Sequence, residues 1–175
     1  DFVATMLAHP EVNRYYERRF TRAESEEWLS RQFDRYRRDG HGLWLVLARA
    51  TGQPVGQVGL SMQDVEGTRH PEVGWLLHRA YWGKGYATEA GAASRDAALE
   101  RSGYEHVISL IRPVNVPSQR VALRIGSVLG HQRLDLVRTR PDMADVHVLS
   151  VLRFAQRLGA QVLQHGAGDG VGHHQ

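Results

Sequence analysis

The sequence predicts a single α/β (α+β) domain built on a mixed, mostly antiparallel sheet flanked by helices. Three observations carry this expectation. At 175 residues the chain has the length of one domain. Its 42% hydrophobic and 23% charged residues are the proportions of an ordinary globular protein. The hydrophobic period also changes along the chain, giving helices, three strands, a helix, a strand, a helix and a hairpin in that order.

Taken in order, residues 1–40 read as helical. Pro10 suits a first helical turn. Thr21 and Glu24 form a capping box, followed by Trp28, Leu29, Phe33 and Tyr36 at helical spacing, and Gly40 ends that helix. Residues 42–50 (GLWLVLARA) read as a buried strand and residues 51–54 (TGQP) as a turn. A second strand alternates from Val55 to near Asp64. A polar loop through Gly67 leads to a third strand over residues 71–78. An alanine-rich helix follows over about residues 86–101, closed by Ser102 and Gly103, and a short strand over residues 106–111 is ended by Pro113. Ser118 is expected to cap a helix that stops at Gly126. Two last strands are expected around residues 134–137 and 146–152, with Pro141 and Asp142 turning between them. Beyond Gly159 the segment GAGDGVGHHQ cannot bury enough apolar surface to order itself. The domain is therefore placed at residues 1–158 and a flexible glycine-rich tail at 159–175.

Composition removes several functions. The longest apolar run, residues 43–48, is far short of the roughly 20 residues of a membrane span. No basic segment followed by an apolar stretch opens the chain, so the protein is expected in the cytoplasm without a membrane partner. Cysteine is absent, which excludes disulfides, a thiol nucleophile and thiolate metal sites. The ten histidines do not cluster at metal-binding spacing, so no metal is expected. The net charge of +3 leaves no strong basic patch. Arg35, Arg37 and Arg38 share their helix with Glu24, Glu26, Glu27 and Asp34, and read as a solvated face, not a nucleic-acid footprint. Trp28, Trp44 and Trp75 read as core residues. Of the 22 basic residues, Lys84 is the single lysine.

Lys84 lies in the stretch that carries chemistry, residues 72–90 (EVGWLLHRAYWGKGYATEA), a buried strand, a glycine-bearing turn and a helix. Gly83 and Gly85 free the backbone for unusual dihedrals and close approach of a ligand. The helix that follows points its unpaired N–H groups at the turn, an arrangement that attracts phosphate. From residue types alone this is either a pyrophosphate-binding turn or a plain strand–helix connection. Two common phosphate loops do not fit. The Walker pattern needs Ser or Thr after the lysine, where Gly85 stands. The dinucleotide pattern GxGxxG meets Thr88 at its third glycine, and Arg112 follows the next strand where an acid is required.

The segment YWGKGYATEA resembles the acetyl-CoA-binding signature of the GNAT superfamily of N-acetyltransferases, in the branch that includes ribosomal-protein N-terminal acetyltransferases. Against the pattern Gln/Arg-x-x-Gly-x-Gly/Ala, Trp82 takes the first place, Gly85 the fourth and Ala87 the sixth. Downstream, NVPSQRVALRIG (residues 115–126) resembles the branch's Asn-x-x-Ser-x-Arg segment, and AHPEVNRYY with TRAESEEWL resembles its early helices. Members usually open with a strand before the first helix. This chain begins inside what reads as that helix, so the first strand is expected to be missing.

The resemblance implies acetyl transfer from acetyl-CoA, as co-substrate, to an amine on a protein N-terminus or a small molecule, by a monomer or homodimer. It implies that the backbone of Trp75, Leu76 and Leu77 holds the pantetheine arm and thioester. Trp82, Gly83, Lys84, Gly85, Tyr86, Ala87 and Thr88 would form the pyrophosphate turn, with Lys84 as partial neutraliser. Asn115 would contact the cofactor arm or polarise the site. The attacking amine must be neutral, which calls for a base or water chain, and the developing oxyanion needs a donor, most simply a backbone N–H of the Trp75–Leu77 strand. The tyrosine that many members use to protonate the leaving thiolate falls at Ala122, so Ser118 is the candidate acid, whether or not it also caps its helix. Glu72, at a strand entering the cleft, is the candidate base or else a solvated strand-end residue. Asp135, Asp145, His41 and His147 are reserve candidates. The missing tyrosine also motivates an alternative, a catalytically silent acyl-CoA-binding or sensing domain. A nicotinamide dinucleotide enzyme is a third reading.

Overall fold

The computed structural model describes residues 1–16, 20–65, 67–133 and 147–152. Three helices come first, α1 (Phe2–Ala8), α2 (Pro10–Asn13) and α3 (Arg22–Asp39), followed by strands β1 (Leu43–Leu47), β2 (Pro54–Val65) and β3 (Thr68–Leu77). A 3-10 turn (Arg79–Tyr81) leads into α4 (Tyr86–Asp96), a π-helical turn (Ala97–Arg101), β4 (His106–Ile111), α5 (Val116–Arg124), β5 (Val128–Arg133) and β6 (His147–Leu152). The six strands lie in the order β1-β2-β3-β4-β6-β5, and every neighbouring pair is antiparallel except β3 with β4. The mixed, mostly antiparallel sheet is thus as expected.

Local chemistry explains the edges of these elements. Glu24 N–H donates to Thr21 Oγ1 at 3.2 Å while Thr21 N–H donates to Glu24 Oε2 at 2.7 Å, completing the capping box at the start of α3. Gly40 ends α3 at φ +74, a left-handed conformation that favours glycine. Two side chains dock α3 on the sheet. Leu43 N–H donates to Gln32 Oε1 at 3.2 Å, and Trp28 Nε1 donates to Gln57 Oε1 at 2.8 Å.

Successive side chains of β3 point to opposite faces, which divides the core. Leu76 packs with Val3, Met6, Leu7, Val12 and Phe20 under α1 to α3. Val73 packs with Leu60, Ala98, Val107 and Ile125 under α4 and α5, with Trp75 against the same cluster.

Several sequence expectations change. Asn115, not Ser118, caps α5: Ser118 N–H donates to Asn115 Oδ1 at 3.2 Å, so Ser118 stands in the first turn. The helix expected to run to residue 101 ends at Asp96 and continues as one π-helical turn. β3 starts at Thr68, because the β2–β3 register holds as far as Val65 opposite Thr68. A strand follows α5 directly at Val128–Arg133. The strand expected at residues 134–137, the Pro141–Asp142 turn, Asp135, Asp145 and the tail lie outside the described residues. Trp44 is 40% exposed on the edge strand and is not a core residue.

Candidate active site

The parallel pair β3–β4 registers only at Glu72 opposite Ile108. Beyond it side chains replace the backbone ladder. Ser109 Oγ donates to the Val73 carbonyl at 2.8 Å, and Leu110 N–H donates to Glu72 Oε1 at 3.3 Å. The strands therefore splay, and a cavity of 640 Å³ opens through the gap, a size suited to a small-molecule site. Glu72, Trp75, Leu76, Asn115 and Ser118, all candidates from the sequence, line it.

The cavity has two sides. On the α3 face lie Glu72 and, directly opposite it on β2, Ser61. Gln63 Nε2 donates to Glu72 Oε2 at 2.6 Å, and Ser61 Oγ donates to the same oxygen at 3.2 Å. Burial pushes the Glu72 carboxyl above its usual range, opposed by the hydrogen bonds from Gln63, Leu110 N–H and Ser61 and by the positive charge of Arg35. Glu72 therefore stands inside a strand at the cavity wall and not at a solvated strand end.

On the α5 face, Trp75 packs on Ile111 and on Ala122, which has no exposed surface. The indole fills the space beside position 122. Its Nε1 donates to Ser118 Oγ at 3.2 Å. A serine hydroxyl can accept one bond and donate another, so this contact leaves the Ser118 proton to be directed elsewhere. The backbone at Trp75 also matters. His78 N–H bonds to the Val55 carbonyl on β2, and alternation along the strand then turns the Trp75 N–H away from β2, into the gap.

The glycine turn lies at the end of β3. Gly83 (φ +73) and Gly85 (φ +88) are both left-handed, and a Cβ on either would meet nothing within 4 Å. Glycine is needed there for the backbone conformation, and open space lies in front of it. Gly85 is the N-cap of α4 with no side-chain cap, so the amides of Tyr86, Ala87 and Thr88 begin the helix without a carbonyl one turn earlier. Lys84 Nζ sits 5.5 Å from the Tyr81 ring centroid, and the Tyr81 ring meets Tyr86 edge-on. Trp82 Nε1 donates to the Leu77 carbonyl at 2.8 Å and its ring packs on the α1–α3 core, so Trp82 braces the turn against β3. An uncapped helix start behind an open glycine turn, leading to a splayed strand with a backbone N–H in the gap, fits a phosphate-bearing co-substrate with an extended arm. The turn residues and Leu77 are not part of the cavity wall.

Residues 1–128 match the family model described as an acetyltransferase (GNAT) domain. The chain belongs to the GNAT acetyltransferase family. It is 32% identical to the uncharacterized protein YkkB of Bacillus subtilis (strain 168) over 117 residues, 67% of this chain and 68% of that protein. Its fold superposes on the acetyltransferase of Agrobacterium tumefaciens str. C58 with a TM-score of 0.73 and 27% identity, covering 87% of this chain and 85% of the other. An aminoglycoside acetyltransferase, AAC(6')-Ib, solved in complex with coenzyme A, superposes with a TM-score of 0.68 over 91% of this chain and 92% of that one; at 14% identity it shares the fold.

As a GNAT acetyltransferase the protein uses acetyl-CoA as co-substrate and acts on an amine acceptor. Among the described residues there is no group of three or more potential metal ligands, and no helix is long and apolar enough to cross a membrane.

Sequence reasoning missed part of this site. Phe20, Arg31, Gln63 and Arg112 line the cavity without any motif to mark them, as do Tyr15 and Tyr16, which close the AHPEVNRYY segment but carried no expected role. Arg35, read as part of a solvated face, lines it as well, whereas Arg37 pairs with Asp34 and Arg38 with Asp39 away from the cavity wall. The i, i+3, i+4, i+7 spacing of Trp28, Arg31, Gln32 and Arg35 was the available signal for one helix face. Of the reserve candidates, His41 is buried between the Leu60 carbonyl and the Tyr104 hydroxyl, a structural position, and His147 begins β6.

Proposed function

We propose that this GNAT enzyme acts in the cytoplasm and moves the acetyl group directly to a primary amine of a protein N-terminus or a small molecule, with Glu72 as base and Ser118 as acid. The observation that carries this reading is the placement of the two groups on opposite faces of one splayed gap, Glu72 toward α3 and Ser118 toward α5. Acetyl-CoA, when bound, supplies the activated acyl group and a thiolate leaving group. The amides of Tyr86, Ala87 and Thr88 together with the left-handed Gly83 and Gly85 would hold its pyrophosphate, with Lys84 as partial neutraliser. The Trp75 N–H, with Leu76 and Leu77 continuing the strand, would hold its arm and receive charge on the thioester oxygen. Trp82 and Asn115 would act by position, bracing the turn and starting α5. Glu72 takes the proton that the amine loses, directly or through water; Ser118 Oγ–H passes one to sulfur and takes one back from water, to which Glu72 releases its own, so both side chains end the turnover as they began it and the thiol carries the proton.

Release of free thiol from acetyl-CoA across an amine panel tests the reaction, and turnover is expected. Tight acetyl-CoA binding with no turnover on any amine would leave a binding or sensing domain instead. The variant Gly85→Glu tests the turn. A carboxylate and side-chain bulk at a left-handed position should abolish CoA binding in calorimetry, and unchanged affinity would remove the turn from the site.

A further inference from the structure

Resting on the acetyl-transfer reading above, we infer that the acceptor is a primary amine whose body carries a carboxylate, gripped by Arg31 and Arg35, and not a polycation. Trp28, Arg31, Gln32 and Arg35 recur at helical spacing and line the cavity on the face where Glu72 stands. Among the described residues of the cavity wall the cations are Arg31, Arg35 and Arg112, and the single carboxylate is Glu72. On the described wall an incoming ammonium therefore meets one acid and three guanidinium groups, of which Arg35 also acts on Glu72.

That one acid is already committed. Gln63, Ser61 and the Leu110 N–H all donate to it, and the proposed reaction needs it as a base for the reacting amine. The other acids on α3 are not among the lining residues: Glu24 closes the Thr21 cap, Glu26 pairs with Arg22, Asp34 with Arg37, and Asp39 with Arg38 and Arg69, while Glu27 reaches Arg31 at the long limit of an ion pair. A second or third ammonium on the acceptor would have no carboxylate to meet on the described wall, and like charges in a partly desolvated cleft repel.

A carboxylate in the same place finds donors. Arg35 Nη1 donates to Gln32 Oε1 at 3.2 Å, which lays its guanidinium along the wall next to the buried Gln32. One turn earlier, Arg31 leans on Trp28, with its guanidinium carbon 5.9 Å from the indole centroid, and Glu27 reaches it at 3.8 Å, the long limit of an ion pair. Guanidinium groups suit carboxylates because their paired N–H donors match the two oxygens. Tyr15, Tyr16, Phe20 and Trp28 add an aromatic lining that accepts the apolar part of such a molecule.

The carboxylate can belong to a free amino acid or to an acidic residue near the N-terminus of a peptide, and the assay separates these. One arm compares a free amino acid with its amide. The other compares two peptides that differ only by Asp or Asn at the second position. Spermidine and an aminoglycoside serve as polycations. Two readouts are taken: kcat/KM from thiol release, and the rise in melting temperature of the CoA complex on adding each amine. In at least one arm the carboxylate member should exceed its neutral partner and both polycations by tenfold or more in kcat/KM, and should give the larger melting shift. The double variant Arg31→Gln, Arg35→Gln should shrink that preference to threefold or less, with the CoA dissociation constant as a check that the fold is intact. Spermidine or the aminoglycoside matching the carboxylate amines would overturn the inference, as would a preference that survives the double variant. Absence of both turnover and melting shift with every amine would instead overturn the acetyl-transfer reading beneath it.

Discussion

On the proposed assignment of Glu72 as base, its environment sets the pH behaviour of the enzyme. Its carboxyl is held above the usual value by burial, despite three hydrogen bonds and the charge of Arg35 that favour ionisation. A base must be ionised to work, so kcat/KM should fall as pH drops through a value above 4.5, the ordinary one for this group. Glu72→Gln should lower kcat by about 100-fold and remove that limb from the profile, in line with the usual contribution of a general base. An unchanged limb would assign the base elsewhere. The raised value has a second consequence: the folded state holds this proton more tightly than the unfolded chain does. The stability linked to Glu72 is thus present below the ordinary value and lost as pH rises through the folded one.

Trp75 and Ser118 form the other pair at this scale. The indole Nε1 makes Ser118 Oγ an acceptor and so directs the hydroxyl proton away from the ring. Ser118→Ala should reduce kcat by about 100-fold, the lower end for general acid catalysis, with little change in CoA affinity. Trp75→Phe keeps most of the packing on Ile111 and Ala122 but removes the donor. It should lower kcat less than the alanine variant does, and leave KM for acetyl-CoA within about twofold if the ring only positions Ser118. Equal losses in KM and kcat would mark Trp75 as a packing residue alone.

At the scale of the element, the sheet depends on close backbone approach between β1 and β2. A Cβ at Gly59 would lie 2.3 Å from the Gly42 carbonyl oxygen and 2.7 Å from the Trp44 ring, and the first of these contacts is backbone. Gly59→Ala should therefore destabilise the protein by about 2 kcal/mol, within the range for overpacking, measured by denaturant unfolding. Gly83 and Gly85 differ in kind, since the space around them is open and only their dihedrals require glycine. The capping box, the Gly40 stop and the strand His106–Ile111 could be read from the sequence because each depends on residues close in the chain. The start of α5 differs from the sequence expectation by one turn because both Asn115 and Ser118 are good capping residues. Only the backbone position shows which side chain accepts the N–H.

At the scale of the molecule, one ion cluster joins the end of α3 to the start of β3. The Asp39 side chain, 4% exposed, bonds Arg38 at 2.7 Å and Arg69 at 2.8 Å. The hydrogen bond from Arg38 is the main cause that brings its carboxyl down to about 2 from 3.8, aided by Arg69 and opposed by burial. A lowered value in the folded state means stability that is present above 3.8 and lost as pH falls toward 2. Asp39→Asn should lower the melting temperature at neutral pH and flatten the decline between pH 4 and 2; an acid limb identical to the parent would show that other groups control it.

What the sequence determined by itself was whatever rests on neighbours along the chain. The helix and strand periods, the caps, and the strand–turn–helix of residues 72–90 with its glycines and its single lysine all belong to this class. The resemblance of that segment to an acetyl-CoA turn followed from the same local order. The tertiary structure decided what lies across the gap. Arg35 is separated from Glu72 by 37 positions, and Trp75 from Ser118 by 43, and no period in the chain links either pair. They meet because β3 and β4 run parallel and part after a single register pair, which opens the sheet between two helical faces. A charged residue on an amphipathic helix looks alike from sequence whether it faces water or a cleft, and the packing of α3 on the sheet is what turned Arg35 inward.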